Sequence, residues 1–327
     1  MVDERFIRPC AWLAATIALI AACIFYTLPA SITVALVFFS AYNALIEIYV
    51  GMSFLTPGKK KPPFEAEGWS HHDLVYGTNS LHAVAFKQEE SAPLLIVIHG
   101  WRSSSRSVGD RGAWFANRGW HVLLIELPSH GASTEIEFWT AYKSMQAIKA
   151  VCSNLDSVFS KEDVTKVSYY GHSIGCFIGL RLVADREFVA LEHPMTTLIL
   201  ESPMTMYSPI LDEIALKLKI PAILLGVYRK RLIRRFNASI GEKGLFSSID
   251  EFDLPQWGLP TLPTLCIQAD PDNRLGMGHF DLLNTAYVDS GQGDLLTSHR
   301  LPGLTHAGAK INEERNQLIA AWLDAQS

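Results

Sequence analysis

The chain has 327 residues, of which 49% are hydrophobic and 19% charged, with a net charge of −5. That length allows one large domain with an appendage, or two modest domains, and supplies ample apolar material for a core. The acidic balance argues against nucleic acid as a partner, and five scattered cysteines without a Cys-x-x-Cys pair argue against a thiol-based metal or redox site. Cys23, in an apolar run, and Cys266, in a predicted core strand, are expected to be free, buried thiols.

Two apolar runs open the chain. Ala11 to Leu28 is uncharged; after the turn-like Pro29-Ala30-Ser31, a second run from Ile32 to Ile46 continues to Leu55 with Glu47 as its only charge. Each is near the lower length for spanning a bilayer, which takes about 17–25 helical residues. A helical hairpin is the preferred reading, and one kinked span with an interfacial second half is the alternative. A cleaved leader fits less well, because its apolar core is too long and a second run follows. Arg5 and Arg8 precede the first run, Lys59-Lys60-Lys61 follow the second, and the connection carries no basic residue. For a hairpin the positive-inside rule puts both ends in the cytoplasm; for a single span the lysine triplet outweighs an N-terminus where Asp3 and Glu4 offset the arginines, and both cases leave the body of the protein cytoplasmic. Glu47 reads as an interfacial glutamate near a helix end. Residues 1–56 are thus expected to form a transmembrane hairpin or anchor, and 57–69 a linker rich in proline and lysine.

Beyond the linker the hydrophobic period changes. His72 to Tyr76 and Leu81 to Phe86 are predicted strands joined by the hairpin signal Gly77-Thr78-Asn79-Ser80. Strands at Leu94–Ile98, His121–Ile125, Val164–Tyr169, Thr197–Leu200 and Thr264–Gln268 then alternate with helices at Arg111–Asn117, Phe138–Leu155 and Cys176–Ala184. A helix from about His279, a strand near Thr297–Leu301 and a helix over Ile311–Asp324 complete the pattern. Near-continuous apolar strands separated by helices predict a mostly parallel sheet covered on both faces, an α/β fold. The stretch from about 204 to 260 is too long for an ordinary crossover and predicts an inserted helical lid. Its Arg229-Lys230-Arg231 and Arg234-Arg235 are either a solvated helix face or a surface laid on anionic lipid headgroups.

The chemistry concentrates at Gly171-His172-Ser173-Ile174-Gly175, directly after a predicted strand and before a predicted helix. A serine between two glycines at such a turn has the layout of a nucleophile elbow. The turn needs glycine where backbone meets backbone, and it holds the serine strained, with its hydroxyl over the end of the sheet. His99-Gly100-Trp101 ends the strand Leu94–Ile98, and Glu126-Leu127-Pro128-Ser129-His130-Gly131-Ala132-Ser133 follows the next.

Together these segments resemble the α/β-hydrolase superfamily over residues 70 to 325. The elbow matches the family nucleophile motif, His99-Gly100 its oxyanion loop, and the third segment its Gly-His-Gly-x-Ser ending, with Ser129 replacing the first glycine. The resemblance implies an α/β-hydrolase domain over 70–327 with its lid insertion, and catalytic residues in the order serine, acid, histidine. A serine hydroxyl needs a base at neutral pH, usually histidine, whose tautomer an acid fixes.

His306, after the last strand and before the terminal helix, is where the family histidine lies, although Thr305 stands where most members have glycine. His279 is the rival. His99 and His130 are expected to shape loops by hydrogen bonding, and the side chain of His172 need not point at the reacting centre. Among acids, Asp272 fits the spacing after Ala269; Asp270 is the alternative, as a turn brace, and Glu201 a third possibility. Backbone N–H groups of Trp101 and Ile174 would form the oxyanion hole. Arg102 and Arg106 read as solvated charges or as contacts to an anionic headgroup.

The leading expectation is a membrane-anchored serine hydrolase that cleaves carboxylic esters, those of lipids foremost, through an acyl-enzyme on Ser173. It needs no cofactor and no metal, and its partners are the lipid bilayer and a small acyl-ester or lipid substrate. The alternatives are a thioesterase, amidase, peptidase or acyltransferase using the same residues, because fold alone does not choose among them. A non-catalytic membrane scaffold is the alternative of another class.

Overall fold

Apolar runs without helix breakers become helices, and the first two form α1 (Glu4–Tyr26) and α2 (Ala30–Ser53) in the computed structural model, which describes residues 3–26, 29–184, 188–241, 246–307 and 311–326. The chain continues through β1 (Ser70–Tyr76), β2 (Asn79–Phe86), β3 (Ala92–Ile98), α3 (Gly109–Ala116), β4 (His121–Ile125) and α4 (Ala141–Cys152). Next come β5 (Val164–His172), α5 (Ile174–Ala184), β6 (Val189–Ala190), β7 (His193–Glu201), α6 (Ser208–Lys217) and α7 (Ala222–Ser239). The last elements are β8 (Thr264–Asp270), α8 (Gly278–Asp289), β9 (Leu296–Pro302) and α9 (Glu313–Asp324).

The strands join one sheet in the order β1-β2-β4-β3-β5-β7-β8-β9, with β6 paired to β7. The β1–β2 hairpin, its pairing with β4 and the β6–β7 pairing are antiparallel, and β4, β3, β5, β7, β8 and β9 run parallel. Parallel strands buried on both faces need side chains that are apolar at every position, and Leu94 to Ile98 of β3 are all fully buried. The expected α/β architecture is therefore present. Boundaries shift where local chemistry overrides periodicity. The helix expected from Phe138 starts at Ala141, because the Thr140 hydroxyl caps it by accepting from Lys143 N–H at 3.1 Å. The terminal helix starts at Glu313 for the same reason, with Asn312 Oδ1 accepting from Arg315 N–H at 2.8 Å.

The chain divides into two compact units, one made of Met1–Thr56 with Tyr207–Phe252, the other of Pro57–Met206 with Asp253–Ser327. The segment inserted between β7 and β8 thus groups with the N-terminal helices.

Within the first unit, α1 and α2 are each long and apolar enough to cross a membrane. They pack antiparallel, since Ser40 Oγ donates to the Trp12 carbonyl at 3.1 Å while Arg5 donates to the Phe54 carbonyl at 2.9 Å. Pro9 lacks the N–H that would satisfy the Arg5 carbonyl inside the helix. That carbonyl instead lies against Gly51, where a Cβ would sit 2.6 Å from it.

Polar groups on α2 meet the inserted segment. Arg231 of α7 donates to Glu47 Oε1 at 3.0 Å and also to Asn43 Oδ1, and Tyr228 shares a 2.7 Å hydrogen bond with Ser53. Arg235 donates to the Glu4 carbonyl at 2.7 Å, and Arg229 to Asp212 of α6 at 2.7 Å. Glu47 is buried against an arginine, and Arg229, Arg231 and Arg235 each have a protein partner. Lys230 and Arg234 stay exposed.

Candidate active site

β5 and α5 meet at one residue. Ser173 lies between them with φ +56°, a left-handed conformation that costs a non-glycine residue of the order of 1–3 kcal/mol and persists only when its surroundings impose it. Here they do. Ser173 N–H donates to the Glu201 carbonyl at 3.1 Å, and its own carbonyl accepts from Cys176 and Met204 N–H at 3.0 and 3.2 Å. The flanking glycines are there for space: a Cβ on Gly171 would lie 2.6 Å from the Cys176 nitrogen, and one on Gly175 would run into the Ile98 carbonyl.

The serine hydroxyl is 3.0 Å from His306 Nε2, and His306 Nδ1 is 2.8 Å from Asp272 Oδ2. All three side chains are buried. Asp272 is pinned from several directions. Its Oδ1 accepts from Arg274 and Leu275 N–H, both at 2.9 Å, and its Oδ2 from Gln268 at 3.0 Å. Burial would raise its pKa, but the hydrogen bond from His306 and those from the Leu275 and Arg274 N–H groups outweigh it and hold the carboxyl well below the ordinary range. A carboxylate so held stays an acceptor, and fixes His306 with its proton on Nδ1 and Nε2 free toward Ser173.

The other residues named from the sequence have different partners. Asp270, still within β8, pairs with Arg300 of β9 at 2.9 Å. His279 accepts from Thr205 N–H at 2.9 Å and Met206 N–H at 3.1 Å through Nδ1, and burial pushes its pKa down to about 4. A neutral ring used as a backbone acceptor braces the loop that follows β7.

Glu201 lies beneath the elbow, fully buried, receiving Arg111 in a two-pronged pair with Nε at 2.7 Å, the Tyr170 hydroxyl, and Arg315 at 3.4 Å. Burial alone would raise its carboxyl; the guanidinium groups of Arg111 and Arg315 instead hold it far below the ordinary range. This cluster was not anticipated. Its signal was an arginine on an apolar helical face, since Arg315 shares its spacing with Ile319 and Trp322, and Arg111 with Phe115.

Two loops flank the serine. A Cβ on Gly100 would lie 3.4 Å from Ser173 Cβ, so the His99-Gly100-Trp101 backbone runs beside Ser173. His99 accepts from Leu127 N–H at 3.1 Å and donates to the Gly100 carbonyl at 2.7 Å; His130 accepts from Arg102 N–H at 3.1 Å and donates to the Pro128 carbonyl at 2.9 Å. Burial lowers their pKa values to about 3 and about 4, so both rings are neutral struts. Glu126 ties the same loops, accepting from Ser105 N–H and Oγ at 2.9 and 2.7 Å and from Ala132 N–H at 2.6 Å. Ser129, where the family pattern has glycine, adopts φ +63°, and its hydroxyl oxygen accepts from Ile136 N–H at 2.9 Å.

Ile174 opens α5, so its N–H belongs to a first turn without intrahelical acceptors. The Trp101 indole packs on His130 and Trp139, with ring centres 5.2 and 4.4 Å away. Arg102 donates to the Pro57 carbonyl at 3.0 Å and is otherwise exposed.

His172 flanks the serine, and its side chain points at the His306 backbone, with Nε2 2.6 Å from the His306 carbonyl.

Comparisons with known proteins bear on the fold and the family. No curated protein matches the sequence. Among solved structures, esterase 2 from Thermogutta terrifontis superposes with a TM-score of 0.56 at 15% identity, covering 81% of this chain and 97% of that one. A Pyrococcus furiosus esterase gives 0.54 at 15% identity, covering 82% and 98%. An epoxide hydrolase from Vigna radiata gives 0.53 at 15% identity, covering 80% and 100%. At that identity the likeness is one of fold. The model of the alpha/beta hydrolase family matches residues 95–307, more than half of the chain, from β3 through the loop that carries His306. This chain belongs to the alpha/beta hydrolase family.

Proposed function

We propose that this protein is a serine hydrolase that cleaves carboxylic esters, lipid esters above all, while held in a membrane by α1 and α2. The observation that carries the reading is the hydrogen-bonded series from Ser173 Oγ through His306 to Asp272, at 3.0 and 2.8 Å, on a strained elbow. In this reading Ser173 Oγ attacks the ester carbonyl carbon while His306 Nε2 takes its proton. Asp272 stabilises the resulting imidazolium. The N–H groups of Trp101 and Ile174 receive the negative charge that forms on the carbonyl oxygen. Collapse breaks the ester C–O bond, and His306 returns the proton to the departing alcohol. Water then repeats the sequence on the acyl-serine, releasing the acid and free Ser173.

The lipid part of the reading is supported by α1 and α2, and by the grouping of the inserted segment with them. Arg5 and Arg8 before α1 and Lys59-Lys60-Lys61 after α2 favour a cytoplasmic catalytic unit. The Thermogutta terrifontis esterase 2 structure is that of an enzyme phosphoramylated by tabun, and a fluorophosphonate probe is the matching reagent here. Membranes carrying the wild type should label, and those carrying Ser173→Ala should not. His306→Ala should label at a rate lower by about 10³-fold or more. Absence of labelling in the wild type, or equal labelling of His306→Ala, overturns the reading. A panel of esters graded by chain length tests the substrate class, and a strong preference for acetyl esters would count against lipid.

A further inference from the structure

His172 stands between the two loops that the reaction needs. On one side its Nε2 is 2.6 Å from the His306 carbonyl. A carbonyl only accepts, so Nε2 must carry the proton. On the other side a Cβ on Gly100 would lie 2.9 Å from its Nδ1, so the ring occupies the space that a side chain on the His99-Gly100-Trp101 loop would fill. The ring is buried, with its centre 5.3 Å from that of His306. Burial pushes its pKa down to about 4, and the pull of Glu201 toward a charged ring is opposed by Arg111 and His306. At neutral pH it is therefore an uncharged donor of one proton, from Nε2.

His306 is thus tethered twice: at its ring by Asp272 and at its backbone by His172. The second tether matters because His306 sits in the connection between β9 and α9, outside any regular element. Asp272 fixes which nitrogen of His306 faces the serine, but one hydrogen bond to a ring leaves the loop backbone free to rotate about it. The donor on His172 removes that freedom, and it comes from the residue adjacent to the nucleophile. Serine and base are thereby held to a common reference, the end of β5.

We propose that His172 is a positioning residue, whose Nε2–H holds the His306 backbone so that the imidazole lies over Ser173. The proposal rests on the serine-hydrolase reading. A 1 Å misplacement of a reacting group costs about 10²-fold in rate. His172→Phe, which keeps a ring but has no donor, should therefore lose about 10²-fold in kcat for a soluble chromogenic ester, with KM changed by less than about twofold.

His172→Gln places an amide nitrogen near the position of Nε2, and should stay within about fivefold of wild-type kcat. His172→Asn ends at the position of Nδ1 and cannot reach the carbonyl; it should fall with the phenylalanine variant. If His172→Phe fails to fold, the comparison of His172→Gln with His172→Asn decides, with thermal unfolding establishing that both are native. Equal loss in both amide variants, or wild-type turnover in His172→Asn, overturns the role. Turnover lost in Ser173→Ala but kept in His172→Asn removes only the role of His172. A wild type that neither turns over nor labels removes the hydrolase reading and this proposal with it.

Discussion

Asp270 and Asp272 are two residues apart at the end of the same strand, and sequence spacing alone barely separates them. What separates them is register. Asp270 still belongs to β8, which pairs with β9, and reaches Arg300. Asp272 has left the strand and turns on its own hydrogen bonds with Arg274 and Leu275 N–H, so its second oxygen faces His306. Asp272→Asn should therefore lower kcat by about 10⁴-fold with little change in KM, because an amide cannot hold the same histidine tautomer. Asp270→Asn, which loses only a partly exposed ion pair worth about 0–1 kcal/mol, should stay close to wild type. Steady-state kinetics on one ester distinguishes the two, and the opposite ranking would exchange their roles. Ser173 and its glycines were legible in the sequence because the elbow is local. The side chain of His172 was not, because its partner lies 134 positions away.

At the scale of elements, arginines set inside apolar surroundings organise both units. In the first unit α7 docks on α2 through Arg231, Glu47, Asn43 and the Tyr228–Ser53 pair. A charged residue in an apolar helix is costly unless paired, and removing one partner leaves the other uncompensated, at about 3–5 kcal/mol where the pair is fully buried. Glu47→Leu alone should therefore speed limited proteolysis within 207–252, and Glu47→Leu with Arg231→Leu should restore resistance. If both variants match wild type in protease resistance, the pair does not hold the inserted segment.

In the second unit Glu201 joins α3 and α9 to the end of β7 through Arg111 and Arg315, all three side chains buried. Glu201→Gln leaves two guanidinium groups without their carboxylate. It should cost about 3–5 kcal/mol in denaturant unfolding, well beyond a typical surface substitution. The helices themselves were readable from periodicity, as were their apolar faces. The partner of a charge on such a face was not, since it comes from another element.

Across the whole molecule, His99, His130, His172 and His279 are among the histidines buried as neutral hydrogen-bonding struts. Burial lowers the first to about 3 and the other three to about 4, against an ordinary value of 6.5. Between those limits the unfolded chain binds more protons than the folded one, so the stability these groups contribute is full above pH 6.5 and is lost as pH falls toward 4. Each should contribute a loss on the order of 1 kcal/mol per pH unit within that window. Thermal unfolding in detergent, scanned from pH 7.5 to 5, should show a steep fall in Tm that His279→Gln makes shallower. A flat profile would mean that these rings are not neutral in the folded state.

The order of strands and helices, the two apolar runs and the elbow serine were determined by the sequence itself. Each depends on a period, a composition or a turn confined to a few neighbouring residues, and hydrophobic pattern and glycine sterics act at that range. Loop-borne family motifs pointed to His306, because the serine-acid-histidine order ties it to the end of the last strand. Only the tertiary structure decided which acid meets His306, where the His172 ring points, that Glu201 lies under two arginines, and that Arg231 answers Glu47. These are contacts between residues far apart in the chain. They form only when separate elements bury their polar groups together, and each such group, once out of water, needs a partner that no local pattern names.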